Sequence, residues 1–170
     1  EEAIHTSLIA GAIGLIIVIL FMILVYRLPG LVAGIALLVY TALMLVTLNA
    51  FDITLTLPGI AGIILGIGMA VDANVIIYAR IREEIAAGKS VLNSIQTGFH
   101  KALSAIVDGN ITTLIAALVL GILGSGSVKG FAYTLAMGIV LSMFSALVIS
   151  RYLTLAFYAL FAKIGRASCR

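Results

Sequence analysis

Long runs without a formal charge constrain this chain more than any other feature. Residues 6–26 carry none, and 28–51 follow after the single Arg27; 53–79 hold Asp72 alone, and 109–128 and 130–150 are again uncharged. A charge at the centre of a bilayer costs about 2.5 to 3.5 kcal/mol on insertion scales, whereas about 20 apolar residues at 1.5 Å each cross about 30 Å of hydrocarbon. Five such windows in 170 residues leave little chain for anything else. Ten basic and seven acidic residues stand against 63% hydrophobic ones, where a soluble domain is about a quarter charged. A water-soluble globule is excluded. The expected fold is all-α, a multipass membrane bundle of five transmembrane helices spanning about 5–26, 30–50, 57–80, 106–124 and 129–150, within a single domain over 1–170.

Pro and Gly mark the joints. Leu28-Pro29-Gly30, Leu57-Pro58-Gly59 and Gly124-Ser125-Gly126-Ser127 read as tight turns or helix starts. Seventeen glycines and no tryptophan favour helices packed closely through small residues. Orientation follows from the basic residues. Arg27, then Arg80, Arg82, Lys89 and Lys101, then Arg151, Lys163, Arg166 and Arg170 fall on one side, with Lys129 alone on the other. Positive residues collect in the cytoplasm, so the N-terminus is expected outside and the C-terminus inside. An exported N-terminus needs something upstream to carry it, and the chain is expected to be a piece of a larger membrane protein. Because topology accounts for the basic residues, they do not indicate a nucleic-acid partner. Cys169 is alone, which excludes an internal disulfide.

The segment 81–105 is the one sizeable stretch between spans. Leu92, Ile95, Phe99, Leu103 and Ile106 recur at spacings of three and four, giving one apolar stripe. The expected element is an amphipathic helix, N-capped by Ser90 and lying on the cytoplasmic interface.

Two acids do not belong in lipid. Asp72 lies in Asp72-Ala73-Asn74, about 12 Å of helix from Arg80, and Asp108 lies in Asp108-Gly109-Asn110, about 10 Å from Lys101. They are expected at similar depth on antiparallel helices. No Lys or Arg falls at that depth, so Asn74, Asn110, Thr112 and Thr113 are the groups available to hydrogen-bond the carboxylates. Intramembrane acids mark cavities and ion relays, whereas hydrogen bonding that only glues helices contributes about 0.6 to 2 kcal/mol. Asp72, Asn74, Asp108, Asn110, Thr112 and Thr113 are therefore the candidate ion-coupling residues. Gly59, Gly62, Gly66 and Gly68 are candidate close-packing positions, Gly68 sharing a face with Asp72. His5 and His100 sit at opposite boundaries and cannot share a metal. The 124–127 stretch lacks the lysine of a phosphate-binding loop, and no Ser-His-Asp or Cys-His set can be assembled. Neither cofactor nor metal is expected, and a hydrolytic enzyme or ATPase is excluded.

Several of these runs resemble one family. Leu57-Pro58-Gly59-Ile60-Ala61-Gly62-Ile63, then Ile67-Gly68-Met69-Ala70-Val71-Asp72-Ala73-Asn74-Val75 and Arg80-Ile81-Arg82-Glu83-Glu84 are similar to the signature of the SecD side of the SecD/SecF family of resistance-nodulation-division type permeases. Asp108-x-Asn110-x-Thr112-Thr113-Leu114-Ile115 and Gly126-Ser127-Val128-Lys129-Gly130-Phe131-Ala132 resemble the next two motifs, in order. The likeness runs from about residue 5 to about 150, and Ala-Ser-Cys-Arg at the end fits no motif of the family. The resemblance implies spans two to six of a six-span half of a permease-type repeat, preceded by a large extracytoplasmic domain, in the bacterial inner membrane. It implies SecF, the SecYEG channel, unfolded preprotein and membrane lipid as partners, and a proton or sodium gradient as the driving force. Asp72 matches the family's fourth-span Asp. Two rival readings are a small-molecule or lipid exporter of the same permease superfamily and a purely structural assembly subunit.

Overall fold

The computed structural model describes residues 1–168, with side chains described through 162; Cys169 and Arg170 lie outside the described residues. Six α-helices follow in order: α1 (Glu2–Tyr26), α2 (Leu28–Ala50), α3 (Leu57–Ala86), α4 (Val91–Leu123), α5 (Ser127–Phe144) and α6 (Ser150–Ser168), the last two joined by a π-helical turn, Ser145–Ile149. Five helices, counting Ser127–Ala162 as one, are long and apolar enough to cross a membrane. Among the described residues there is no strand. In hydrocarbon a backbone must satisfy its own polar groups, which a helix does and an open strand does not.

The helix starts fall where Pro and Gly predict. Pro29 and Pro58 occupy the first turns of α2 and α3, where the missing N–H costs nothing. Thr56 caps α3, its hydroxyl accepting from Gly59 N–H at 3.1 Å. Arg27 alone separates α1 from α2 and takes a positive φ of 54°. Gly30 permits that reversal, because a β-carbon there would run into the backbone carbonyl of Met22.

α3 is the axis of the bundle. Its Gly59, Gly62 and Gly66 form a seam against α5, where added β-carbons would meet Thr134, Phe131 O and, at 3.6 Å, Gly138 Cα. Tyr40 of α2 fills the notch between Gly66 and Gly138, its ring fully buried. Gly68 departs from the expected packing role: nothing lies within 4 Å of a β-carbon there. Two residues on from Gly66, it is turned by about 200° away from the α5 seam.

The expected interfacial helix is also revised. Residues 81–105 do not form an element of their own: α3 runs on to Ala86, and after a short turn α4 is continuous from Val91 to Leu123. Ser90 does cap α4, accepting from Asn93 N–H at 3.4 Å. The apolar stripe holds in part: its Ile95, Phe99 and Ile106, together with Ala102, pack with Ala73, Ile77, Tyr78 and Ile81 of α3 rather than against lipid, while its Leu92 and Leu103 stay exposed. Gly98 makes this possible, since a β-carbon there would stand 2.9 Å from Ile81 N and Cα. α1 is the opposite case: Met22 is its only buried residue; Leu15, Val18 and Ile19 rest half-buried against the core, and most of its other apolar side chains are exposed.

These close approaches predict a contrast between two glycines. Gly98→Ala is expected to destabilise the bundle by about 1 to 3 kcal/mol through overpacking, whereas Gly68→Ala, in open space, is expected to be neutral or slightly stabilising. Thermal unfolding in detergent measures both, and equal midpoints would refute the contrast.

Candidate functional site

Antiparallel packing brings the two acids to one level. Ile81 meets Gly98, and nine residues back from Ile81 is Asp72 while ten forward from Gly98 is Asp108. Level does not mean proximity. Asp72, with Met69, Ala73 and Ile76 of α3, lines a groove of about 210 Å³ completed by Ala105, Ile106, Gly109, Asn110 and Thr113 of α4. Asp108 instead borders a separate shallow hollow with His100, Lys101, Leu103, Ser104 and Val107. Asp108 and Asn110 are two residues apart and so about 200° apart around the helix, which sends one into the groove and the other away from it.

The same geometry separates Asn74 from Asp72. Asn74 is buried on the far side of α3, where its Oδ1 accepts from Ser150 Oγ at 2.6 Å. The expected hydrogen bonds from the four polar neighbours to the carboxylates are not formed. Each neighbour turns back on its own helix: Asn74 Nδ2 donates to Ala70 O at 3.0 Å, Asn110 Nδ2 to Ile106 O at 2.7 Å, Thr112 Oγ1 to Asp108 O at 3.1 Å and Thr113 Oγ1 to Gly109 O at 3.2 Å. Side chains of this kind compete for the carbonyl four residues back, and in lipid that nearby acceptor wins.

Asp72 is therefore an exposed carboxylate in a mostly apolar groove, and among the described residues it has neither an ion pair nor a hydrogen-bond donor. Asn110 and Thr113 are the other polar side chains lining that groove. At this depth a carboxylate must be met by a proton, a cation, water or a partner's charge. No group of three or more His, Cys, Asp or Glu among the described residues is arranged to hold a metal ion.

Glu84 was not anticipated as a site residue. It is only 4% exposed, beyond Arg80, and both its oxygens are taken: Lys89 Nζ donates to Oε2 and Lys101 Nζ to Oε1. The first lysine sits in the α3–α4 turn and the second on α4, so one carboxylate ties the hairpin together. Only folding the chain back after Ala86 brings Glu84 and Lys101 together across 17 positions. The hydrogen bonds from Lys101 and then Lys89 hold the Glu84 carboxyl below its ordinary value.

Comparison with known proteins gives a consistent picture. The family described as "Protein export membrane protein SecD/SecF, C-terminal" matches residues 1–159. The chain is 54% identical over 155 residues to the protein translocase subunit SecD of Synechocystis sp., covering 91% of this chain and 33% of that protein. It is 49% identical over 153 residues to the protein translocase subunit SecDF of Bacillus subtilis, covering 90% and 21%. The crystal structure of SecDF, a translocon-associated membrane protein from Thermus thermophilus, superposes with a TM-score of 0.86 at 43% identity, over 89% of this chain and 21% of that one. The chain thus spans about a third or less of the length of these relatives.

A lowered folded-state pKa makes Glu84 stabilising above its unfolded value of about 4.5, with that contribution lost as the pH falls through the lower folded value. Melting temperature in detergent is expected to drop below pH 4.5 more steeply in the parent chain than in Glu84→Gln, which lacks this titration. Parallel acid profiles would contradict the assignment.

Proposed function

The chain belongs to the SecD/SecF C-terminal family, and from that premise we propose that it is the membrane-spanning part of a SecD subunit of the Sec protein translocase. In this reading it works with SecF beside the SecYEG channel, using a proton or sodium gradient to promote preprotein export, mainly through an extracytoplasmic domain. The basic end of the bundle, where Arg27, Arg80 and Lys101 lie, faces the cytoplasm. The single observation that carries the reading is Asp72, an unpartnered carboxylate in the groove between α3 and α4. A structural acid would be paired, as Glu84 is; an ion-coupling acid must remain open to the ion.

The energetics are sufficient. One proton crossing about 150 mV gains about 3.5 kcal/mol, which shifts a two-state equilibrium by a few hundredfold. Neutralising Asp72 removes the main obstacle to closing the groove around it, because a neutral carboxyl is far less costly to desolvate than an anion. The groove then has two states that differ in the solvation of one side chain, and a gradient biases them. Asn110 and Thr113, on the α4 wall, are placed to meet the carboxyl or its ion once the helices approach. Asp108, Asn74 and Thr112 fall outside the groove, so the coupling role is centred on Asp72.

Asp72→Asn in the full-length subunit is expected to abolish the gradient-dependent part of preprotein export in inverted membrane vesicles, while leaving export after uncoupler treatment unchanged. Asp108→Asn is expected to have the smaller effect. Full gradient stimulation in Asp72→Asn would sink the proposal.

A further inference from the structure

Among the described residues, one hydrogen bond joins buried side chains of different helices. Ser150 Oγ, at the first position of α6, donates to Asn74 Oδ1 on α3 at 2.6 Å. Ser150 is completely buried and Asn74 is 3% exposed. The amide is fixed in that orientation because its nitrogen donates to Ala70 O. Both ends of the contact are therefore specified, and it sits two residues along α3 from Asp72.

The backbone around Ser150 is not an ordinary helix. Residues Ser145–Ile149 form a π turn, closed by the Ser150 N–H bonding to Ser145 O, five residues back. Ser145 Oγ in turn donates to Ala36 O at 3.2 Å, which anchors the start of the turn to α2. A π turn holds one residue more than an α turn. Everything beyond it is rotated by about 100° compared with an uninterrupted helix. Had α5 continued as α-helix, the position that faces Asn74 would fall to Ile149, which has no hydrogen-bonding side chain. The π turn is thus what presents a hydroxyl, rather than a hydrocarbon, to Asn74. Unwinding it would leave a buried amide oxygen without its donor.

We propose that Asn74 and Ser150 are positioning residues for Asp72, and that the π turn between α5 and α6 is the two-state element through which they act. With the turn in place, Ser150 holds the far side of α3 and sets the rotation of Asp72 toward the groove. With the turn relaxed to α-helix, Ile149 takes the place of Ser150, the hold on α3 is lost, and α6 rotates at the basic end of the bundle. Ion occupancy at Asp72 and the orientation of α6 are then linked across the thickness of one helix. The inference rests on the reading of Asp72 as the coupling carboxylate.

The test uses the full-length subunit in inverted vesicles, with export measured before and after an uncoupler, and melting temperature as the control for folding. Deleting Val148 shortens the π turn by its extra residue and is expected to abolish gradient stimulation while preserving uncoupled export. Ser150→Ala is expected to reduce stimulation at least threefold, and Ser150→Thr, which keeps the hydroxyl, to retain it. A merely structural role would lower uncoupled and stimulated export together with the melting temperature, and that result overturns the proposal. So does full stimulation in a stable Ser150→Ala variant, or equal loss in Ser150→Ala and Ser150→Thr. If the deletion does not fold, the comparison of alanine with threonine decides. Asp72→Asn is run in parallel: if it loses stimulation while Ser150→Ala does not, this inference alone fails; if it keeps stimulation, the reading beneath it fails as well.

Discussion

The bundle depends on how closely α3 can approach its neighbours. Lipid tails are as apolar as leucine, so burial of apolar area gives helices little reason to associate, and packing must do so instead. Gly59, Gly62 and Gly66 let α5 come to backbone contact on one side of α3, and Gly98 lets α4 come to backbone contact with Ile81 on another. Tyr40 then reaches in from α2 to the point where Gly66 and Gly138 face each other. These seams set where α3 lies and, with it, the groove between α3 and α4 that Asp72 lines. The groove is a consequence of the glycine seams and not of any bond made by Asp72 itself.

The polar groups sort by the same logic of satisfaction. Threonine and asparagine side chains within the spans return to carbonyls four residues back, which lowers the cost of a polar group in hydrocarbon without specifying a neighbour. Among the described residues three contacts escape this local rule and do specify a neighbour: Glu84 with its two lysines at the end of α3, Asn74 with Ser150 within the bundle, and the Ser145 hydroxyl with the Ala36 carbonyl of α2. The first is an ionic tie outside the apolar windows; the other two are neutral and within them. Charge is used where water is near, and amide and hydroxyl where it is not.

Most of the architecture was legible because its signals are local. Charge-free windows define spans, and Pro29, Pro58 and Ser90 define starts; each is readable within a few residues. The SecD/SecF resemblance rested on ordered motifs and agrees with the family match. Two kinds of feature were hidden. Glu84 and Lys101, and Asn74 and Ser150, meet only through tertiary packing, and the latter pair also depends on a change of helical register that no side-chain pattern announces. Grouping Asn74 with Asp72, and Asp108 with Asn110, followed from nearness in sequence. An i, i+2 pair on a helix points in nearly opposite directions, so the structure divides both pairs. The 81–105 segment was misassigned for a related reason: an apolar stripe shows that a face is covered, but not whether lipid or a helix covers it.

The locations of the ties restrict how the groove can change. At the basic end, Glu84 with Lys101 and Gly98 against Ile81 clamp α3 to α4, so the two helices cannot separate there without breaking an ion pair and opening a tight backbone contact. Farther along, the α4 wall is Ala105, Gly109 and Thr113, and a β-carbon at Gly109 would meet nothing within 4 Å. The clamp is on one side of Asp72; on the other, α4 is held again where Ala117 packs with Leu135 and Ile139 of α5, and the free space at Gly109 lies between these two anchors. A change in the charge of Asp72 would therefore act on a stretch of α4 held at both ends, with Gly109 and Thr113 between them. This makes Gly109 and Thr113, which line the groove, the part of α4 that bears most directly on the coupling role proposed for Asp72, and it makes the Glu84 cluster the anchor of one end.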